Sequence, residues 1–170
     1  MKRRDDLSAQ ELREELHYCP ETGAFRWLRA AKGRRMATPP GTKTPAGYLR
    51  LCIGHRRYLA HRAAWLYVNG YWPESDVDHI NGNRLDNRIC NLRLATHSEN
   101  QQNRKRASRT NKSSGVLGVG WDGSKNRWRA EICVRGKRRT LGRYATIEEA
   151  SAAYQRAKAE LHPFYVPETR

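Results

Sequence analysis

The stretch Val77-Asp78-His79-Ile80-Asn81-Gly82-Asn83, read with Asn91-Leu92-Arg93-Leu94 and Thr96-His97-Ser98-Glu99-Asn100, constrains this chain more than any other. An Asp-His pair closes a short apolar run, and a turn containing Gly82 follows. Asn91 opens a second short strand, and Asn100 falls in the first turn of a polar helix that Thr96 and Glu99 start as a capping box. Strand, loop, strand and helix within roughly 30 residues make a compact unit. It gathers an acid, an imidazole and two amides into one small volume.

Those groups have a shared chemistry. Asp78 is a hard oxygen ligand and Asn100 offers an amide oxygen. Two such donors suit one Mg²⁺ or Mn²⁺ ion, which keeps several waters and accepts phosphate oxygens. His79 follows Asp78 directly, so in an extended strand its side chain points to the opposite face; a bend at the strand end would let both line one site. A neutral imidazole is a good general base for activating water, and the N-terminal turn of a helix favours an anion. His97 competes as a ligand but is expected to face solvent or DNA.

The string VDHINGNRLDNRICNLRLATHSEN, residues 77–100, resembles the HNH endonucleases of ββα-metal fold. Within them it is similar to the phage and intron-encoded branch, which has Asp-His in place of a His pair and Asn as the last ligand. The resemblance implies that Asp78 and Asn100 bind the metal and that His79 is the general base. It also implies that Asn91 holds the active-site loop and the histidine. Taken singly, each of these residues has an ordinary structural reading; the constellation carries the inference.

A net charge of +16 points to a polyanion, with nucleic acid the leading candidate. The charge is spread along the chain: 21 basic against 11 acidic residues in 1–110, and 12 against 6 in 111–170. At 170 residues, with five Trp and eight Tyr, the chain suits small cores rather than one large one. Cys19, Cys52, Cys90 and Cys133 form no Cys-x-x-Cys pair, which argues against a zinc ribbon. They read as reduced, mostly buried thiols of an intracellular protein. Neither a signal peptide nor a run of transmembrane length is visible, so the cytoplasm of a bacterium or phage-infected cell is the expected location and no membrane partner is expected.

Before the motif, residues 7–16 form an amphipathic helix with Ser8 and Glu11 as a capping box. Cys19 to Gly23 is a turn, and Phe25 to Leu28 a strand. The string Tyr-x-Pro-x-Thr-Gly-x-Phe-x-Trp is similar to the lead-in of many phage HNH proteins and is read as a small hairpin that finishes the core. Residues 29–45 are a basic loop whose Lys32, Arg34, Arg35 and Lys43 either touch DNA or are solvated. Residues 47–53 and 58–60 form a hairpin, and His61 to Val68 a short apolar helix, with His61 a buried scaffold histidine or, alternatively, a phosphate or active-site contact. Beyond Asn100, the polar run through Arg104, Lys105 and Arg106 has almost no apolar face and is placed against DNA backbone. Residues 107–114 read as a basic linker.

From Gly115 the pattern changes. Residues Trp128, Ala130, Ile132 and Val134 alternate with Arg127, Arg129 and Glu131, so this strand has an apolar and an arginine-bearing face. Strands precede and follow it, and Thr146 with Glu149 caps a helix with Ile147, Ala150, Tyr154, Ala157 and Leu161 as its stripe. Three strands backed by one helix over residues 115–163 resemble the Apetala-type domain of plant ethylene-response factors, which also occurs in phage HNH nucleases. Gly118-Val119, Trp128 to Ile132, Leu141-Gly142 and Thr146 to Tyr154 carry that resemblance. It departs at Gly120 and Thr140, where plant members have Arg and Trp, so plant target preference does not transfer. Arg127, Arg129, Arg135, Lys137, Arg138, Arg139 and Arg143 are the candidate DNA contacts there.

The chain is therefore expected to be an α+β protein. An HNH domain with its N-terminal helix and hairpins occupies 1–106, a linker 107–114, an Apetala-type domain 115–163 and a tail 164–170. The expected activity is metal-dependent hydrolysis of double-stranded DNA by a monomer, with no small-molecule substrate. The competing reading is a sequence-specific DNA-binding regulator that retains an HNH scaffold without cutting.

Overall fold

A computed structural model describes residues 7–30, 38–108 and 111–167. It is of mixed α+β class, built from four small antiparallel sheets and four helices among the described residues. Two compact units divide at Thr96/His97, ten residues before the domain boundary expected from the sequence. The basic positions 32, 34 and 35 lie outside the described residues.

The first unit starts with helix α1 (Ala9–Glu15), capped by Ser8 and Glu11 in a reciprocal capping box. The chain passes directly into β1 (Leu16–Cys19), which pairs with β2 (Ala24–Trp27). A second sheet follows, β3 (Thr42–Lys43), β4 (Leu49–Ile53) and β5 (Arg56–Leu59), with β4 in the centre. Helix α2 (Ala60–Asn69) runs straight on from β5 and stops at Gly70, whose φ of 83° is the left-handed conformation that glycine adopts without penalty. Then come β6 (Asp76–His79), a 3₁₀ turn (Ile89–Asn91) and β7 (Leu92–Ala95), the two strands pairing as Asp78 opposite Arg93 and His79 opposite Leu92. Asn91 therefore closes the turn rather than opening the strand.

The core of this unit is formed by Leu12, Leu16, Tyr18, Phe25, Leu51, Tyr58, Leu66, Val77 and Leu92 among others. It draws on both helices and on strands of all three sheets, so β6 is held at its apolar Val77 by the same packing that buries α1 and α2. Arg62 on α2 fixes the approach to β6, donating to the carbonyls of Pro73 and Ser75 at 3.2 and 3.3 Å.

The second unit starts with α3 (His97–Gln102). It contains the sheet β8 (Val119–Asp122), β9 (Arg127–Val134) and β10 (Lys137–Tyr144), with β9 central, and helix α4 (Ile147–Leu161) behind it. Val119, Ala130, Ile132, Ala150, Ala153 and Tyr154 are its buried centre, and the Thr146–Glu149 capping box starts α4 as expected. Gly118 is required there: a Cβ would stand 2.1 Å from the Tyr154 ring. Arg135 and Gly136 turn β9 into β10 with φ of 49° and 76°, a hairpin geometry usually given to Asn-Gly.

The sequence expectation for residues 103–114 differs from the structure. Asn111 donates to the carbonyls of Val116 and Val119, and Ser114 also bonds Val119, so this end of the basic stretch is knitted to β8. After α3, Lys105 donates to the Val166 carbonyl and Lys158 to the Arg104 carbonyl, while Val166 N–H bonds Asn103. Lys158 is buried, and burial, with Lys105 and Arg104 nearby, pushes its ammonium down to about 8. Polar residues without an apolar stripe are thus held here by main-chain carbonyls and by the Tyr165 ring.

The cysteines are a further correction. All four are free, but Cys52, Cys90 and Cys133 are exposed and Cys19 is half-buried. Cys52 and Cys133 stand opposite Arg57 and Arg138, at outward positions of their strands. Apolar character alone did not reveal that phase.

Candidate active site

Strand alternation carries Asp78 and His79 to different neighbours, as the spacing predicts. Both are buried, at 6% and 4% exposure. Asp78 meets its cross-strand partner: Arg93 Nε and Nη2 both donate to Asp78 Oδ2, at 3.1 and 2.9 Å. A buried carboxylate needs a cation or several donors, and the guanidinium supplies both.

His79 Nε2 lies 3.3 Å from Asn87 Oδ1. The amide orientation follows from its other end, where Asn87 Nδ2 donates to the Leu85 carbonyl at 3.1 Å. Oδ1 therefore faces the imidazole and accepts from Nε2. Burial holds the His79 imidazole below the usual histidine range; the hydrogen bond to Asn87 and the Asp78 and Asp86 carboxylates pull the other way. The ring is neutral near pH 7, which is the state a general base requires.

Asn87 was not anticipated from the sequence. It is 1% exposed, and its main-chain carbonyl accepts a 2.7 Å bond from the Tyr18 hydroxyl. The N-terminal hairpin thus does more than finish the core. Gly23 in its turn packs so closely on this segment that a Cβ would lie 2.5 Å from the Asn87 and Arg88 main chain, and Ile89 N–H bonds the Pro20 carbonyl at 3.3 Å.

Asn91 works on the loop itself. Its Oδ1 accepts from Asn81 N–H at 3.0 Å and its Nδ2 donates to the Asp86 carbonyl at 2.8 Å, closing both ends of the connection between β6 and the 3₁₀ turn. Within the loop, Asp86 is paired with Arg88 at 2.6 Å and accepts from Asn81. The Asn91 side chain makes these loop contacts, and the imidazole is held by Asn87. One further histidine is present: His61 on α2, 5% exposed, stands edge-on to His79 with ring centroids 5.0 Å apart.

Asn100 and the exposed His97 belong to α3 in the second unit. Arg104 and Arg106 are exposed, whereas Lys105 is half-buried against the Tyr165 ring. No group of three or more His, Cys, Asp or Glu side chains able to hold a metal occurs among the described residues. The Asp78 carboxylate and the Asn100 amide are each oxygen donors of the hard kind that divalent ions take, and the buried Asp78 oxygen already draws a cation to itself.

On the second unit's sheet, register separates the candidate contacts. Arg127, Arg129, Arg138 and Arg143 share the face of β9 turned away from α4, since Arg143 is opposite Arg129 and Arg138 opposite Cys133. Lys137 and Arg139 are opposite Val134 and Ile132, in phase with the apolar face, yet exposed on the edge strand. Arg135 is in the turn. Asp122 organises the outer face: Arg143 Nε donates to it at 2.8 Å and Arg129 lies 3.9 Å away, while Glu131 is 3.3 Å from Arg129. The Arg143 hydrogen bond, with help from Ser124, pulls the Asp122 carboxyl down to about 2.

Two short strands, a pinned loop with a buried neutral histidine, and a helix next in the chain define the strand-strand-helix class of small nuclease domains. Residues 58–102 match the HNH endonuclease family, so the chain contains an HNH endonuclease domain. Protein 3.8 of Escherichia phage T7 is 34% identical over 103 residues, which are 60% of this chain and 83% of that protein. The SPbeta prophage-derived YosQ of Bacillus subtilis (strain 168), whose name assigns it provisionally to the HNH homing endonucleases, is 32% identical over 92 residues. Those residues cover 54% of this chain and 53% of YosQ, so the chain spans about half of that relative. The solved structure of the HNH homing endonuclease I-HmuI aligns at 19% identity and a TM-score of 0.41, over 86% of this chain and 80% of that one.

Proposed function

We propose that this protein is a metal-dependent endonuclease that hydrolyses a phosphodiester of double-stranded DNA, with His79 as the general base. The observation that carries this reading is the buried His79 ring at the end of β6, next to Asp78 and 3.3 Å from Asn87 Oδ1. Taking a proton from water, the imidazole makes the hydroxide that attacks phosphorus; the imidazolium formed is then stabilised by the Asn87 carbonyl oxygen and the nearby carboxylates. Asp78 and Asn100 are the residues that would hold a divalent ion, Mg²⁺ or Mn²⁺. Bound there, it would polarise the phosphodiester and stabilise the leaving 3′ oxygen. Arg93 pairs with the Asp78 carboxylate and orients it. Asn91 keeps the loop beside it closed.

In this proposal the second unit is an Apetala-type DNA-binding domain. Its outward arginines, with Arg104 and Arg106, neutralise phosphates, and a three-stranded sheet suits the major groove. A monomer suffices to nick one strand. Supercoiled plasmid incubated with the protein and Mg²⁺ or Mn²⁺, with and without chelator, is the direct test: metal-dependent nicking supports the nuclease, and binding without nicking removes it. A second reading, a DNA-binding regulator on an HNH scaffold, is favoured by one observation: Arg93 already neutralises Asp78. The same assay separates the two.

A further inference from the structure

The segment from β6 to β7 carries three arginines, and two of them are matched to carboxylates. Arg93 meets Asp78, and Arg88 meets Asp86. Arg84, in the loop after β6, meets a carbonyl and a ring instead. Its Nη1 donates to the Ala46 carbonyl at 2.6 Å, and its guanidinium carbon lies 4.7 Å from the centre of the Tyr48 ring. Both partners attract a cation, but neither neutralises it.

The side chain is exposed and yet held. The carbonyl fixes one amino group and the ring supports one face of the planar guanidinium. The five N–H donors of an arginine lie in that plane, so one bond from Nη1 leaves the rest of the fork for another acceptor. A planar fork matches the oxygens of a phosphate with two parallel hydrogen bonds. Setting it in place beforehand lowers the ordering cost of binding.

Tyr48 links this cation to the buried histidine. The same ring lies 6.0 Å from His79 and 5.2 Å from His61. A single aromatic ring thus separates exposed Arg84 from buried His79. Burial is the main influence holding the His79 imidazole low, and the Arg84 charge acts in the same direction. A DNA strand that brings a phosphodiester to His79 therefore passes this guanidinium.

We propose that Arg84 is a substrate-binding residue of the His79 site: it holds a backbone phosphate of the strand to be cut, beside the scissile one, with Tyr48 and the Ala46 carbonyl presetting its guanidinium. This rests on the DNA-cleaving reading of that site. The contact itself is read from binding, without turnover.

The experiment uses the full chain as wild type, Arg84→Gln and Arg84→Lys. Duplex affinity is measured in chelator across a range of salt, with melting temperature on the same samples. Arg84→Gln keeps an N–H donor for Ala46 and loses the charge. It is expected to bind about tenfold more weakly, with the salt slope smaller by about 0.9, the value for one phosphate contact. Arg84→Lys, which keeps a point charge, is expected to restore the slope. In parallel, wild type is treated with an arginine-selective dicarbonyl reagent with and without duplex, and Arg84 labelling is read by mass spectrometry. Duplex should protect it. In Mg²⁺, with protein in excess and the plasmid saturated, single-turnover nicking by Arg84→Gln should fall about 10- to 100-fold, because the strand is misplaced. An unchanged salt slope in folded Arg84→Gln overturns the proposal, and so does equal labelling of Arg84 with and without duplex. If Arg84→Gln does not fold, Arg84→Lys and the wild-type labelling decide. A wild-type nicking rate in saturated Arg84→Gln overturns the placement beside the scissile phosphate. Wild-type protein that binds without nicking would instead remove the nuclease reading, and slope and labelling would still decide whether Arg84 holds a phosphate.

Discussion

The Tyr18 hydroxyl donates a 2.7 Å hydrogen bond to the main-chain carbonyl of Asn87, 69 residues further along the chain. Through that bond the N-terminal hairpin reaches the residue whose side chain meets His79. The histidine is thus positioned by a hairpin, a loop and a helix that share one core, rather than by the two-stranded ribbon alone. Asn87→Ala removes the amide oxygen that faces His79 Nε2. We expect plasmid nicking about 10- to 100-fold slower, as is usual when the partner orienting a functional histidine is lost. DNA affinity measured by gel shift should stay at the wild-type value.

Gly23→Ala probes the same brace from the other side. Residue 23 has a φ of +71°, and a Cβ there would lie 2.5 Å from the main chain of Asn87 and Arg88. The backbone strain alone costs about 1–3 kcal/mol, and displacing the packed segment adds to it. Chemical denaturation should show a lower midpoint with the m-value unchanged, and nicking should fall with it because Asn87 moves.

Acid stability of the second unit should depend on Asp122. Its folded carboxyl titrates near 2, below the ordinary aspartate value of about 3.9. A depressed carboxylate contributes stability that is complete above the unfolded value and disappears as pH falls through the folded one. Asp122→Asn should therefore lose stability at neutral pH and show a shallower fall between about pH 4 and 2. Thermal unfolding across that range checks it; parallel wild-type and variant curves would contradict it.

The register of β10 predicts an asymmetry among its basic residues. Arg138 shares the outward face with Arg127, whereas Arg139 is in phase with the side facing α4. Arg127→Ala with Arg138→Ala should weaken duplex binding and reduce the salt slope by about 0.9 per lost phosphate contact. Arg139→Ala should change both less. Equal effects would place the duplex across the strand edge.

Much of this was readable in the residues, because the signals were local. The capping boxes of Ser8–Glu11 and Thr146–Glu149 and the alternation from Trp128 to Val134 depend on neighbours a few positions apart. The Asp78-His79 pair could be placed at the end of a strand for the same reason, whereas Asn91, expected to open the next strand, closes the 3₁₀ turn before it. Asn87 could not be placed, since its role is created by Tyr18 and Gly23, far away in sequence. Lys158 was hidden by its charge: a lysine in an amphipathic helix reads as solvated, yet here carbonyl and ring contacts bury it. Lys105 was read as a DNA contact from the polarity of its segment, which does not show that it donates to the Val166 carbonyl.

The central claim is that the buried His79 activates water for DNA hydrolysis, and one comparison tests it most directly. Wild type and His79→Ala are incubated with supercoiled plasmid in Mg²⁺, and the relaxed product is counted alongside a binding isotherm on the same duplex. The account predicts that nicking falls by at least about 10²-fold, the lower range for losing a general base, while affinity is kept. Nicking by His79→Ala at the wild-type rate, or a loss of binding equal to the loss of cutting, would contradict it.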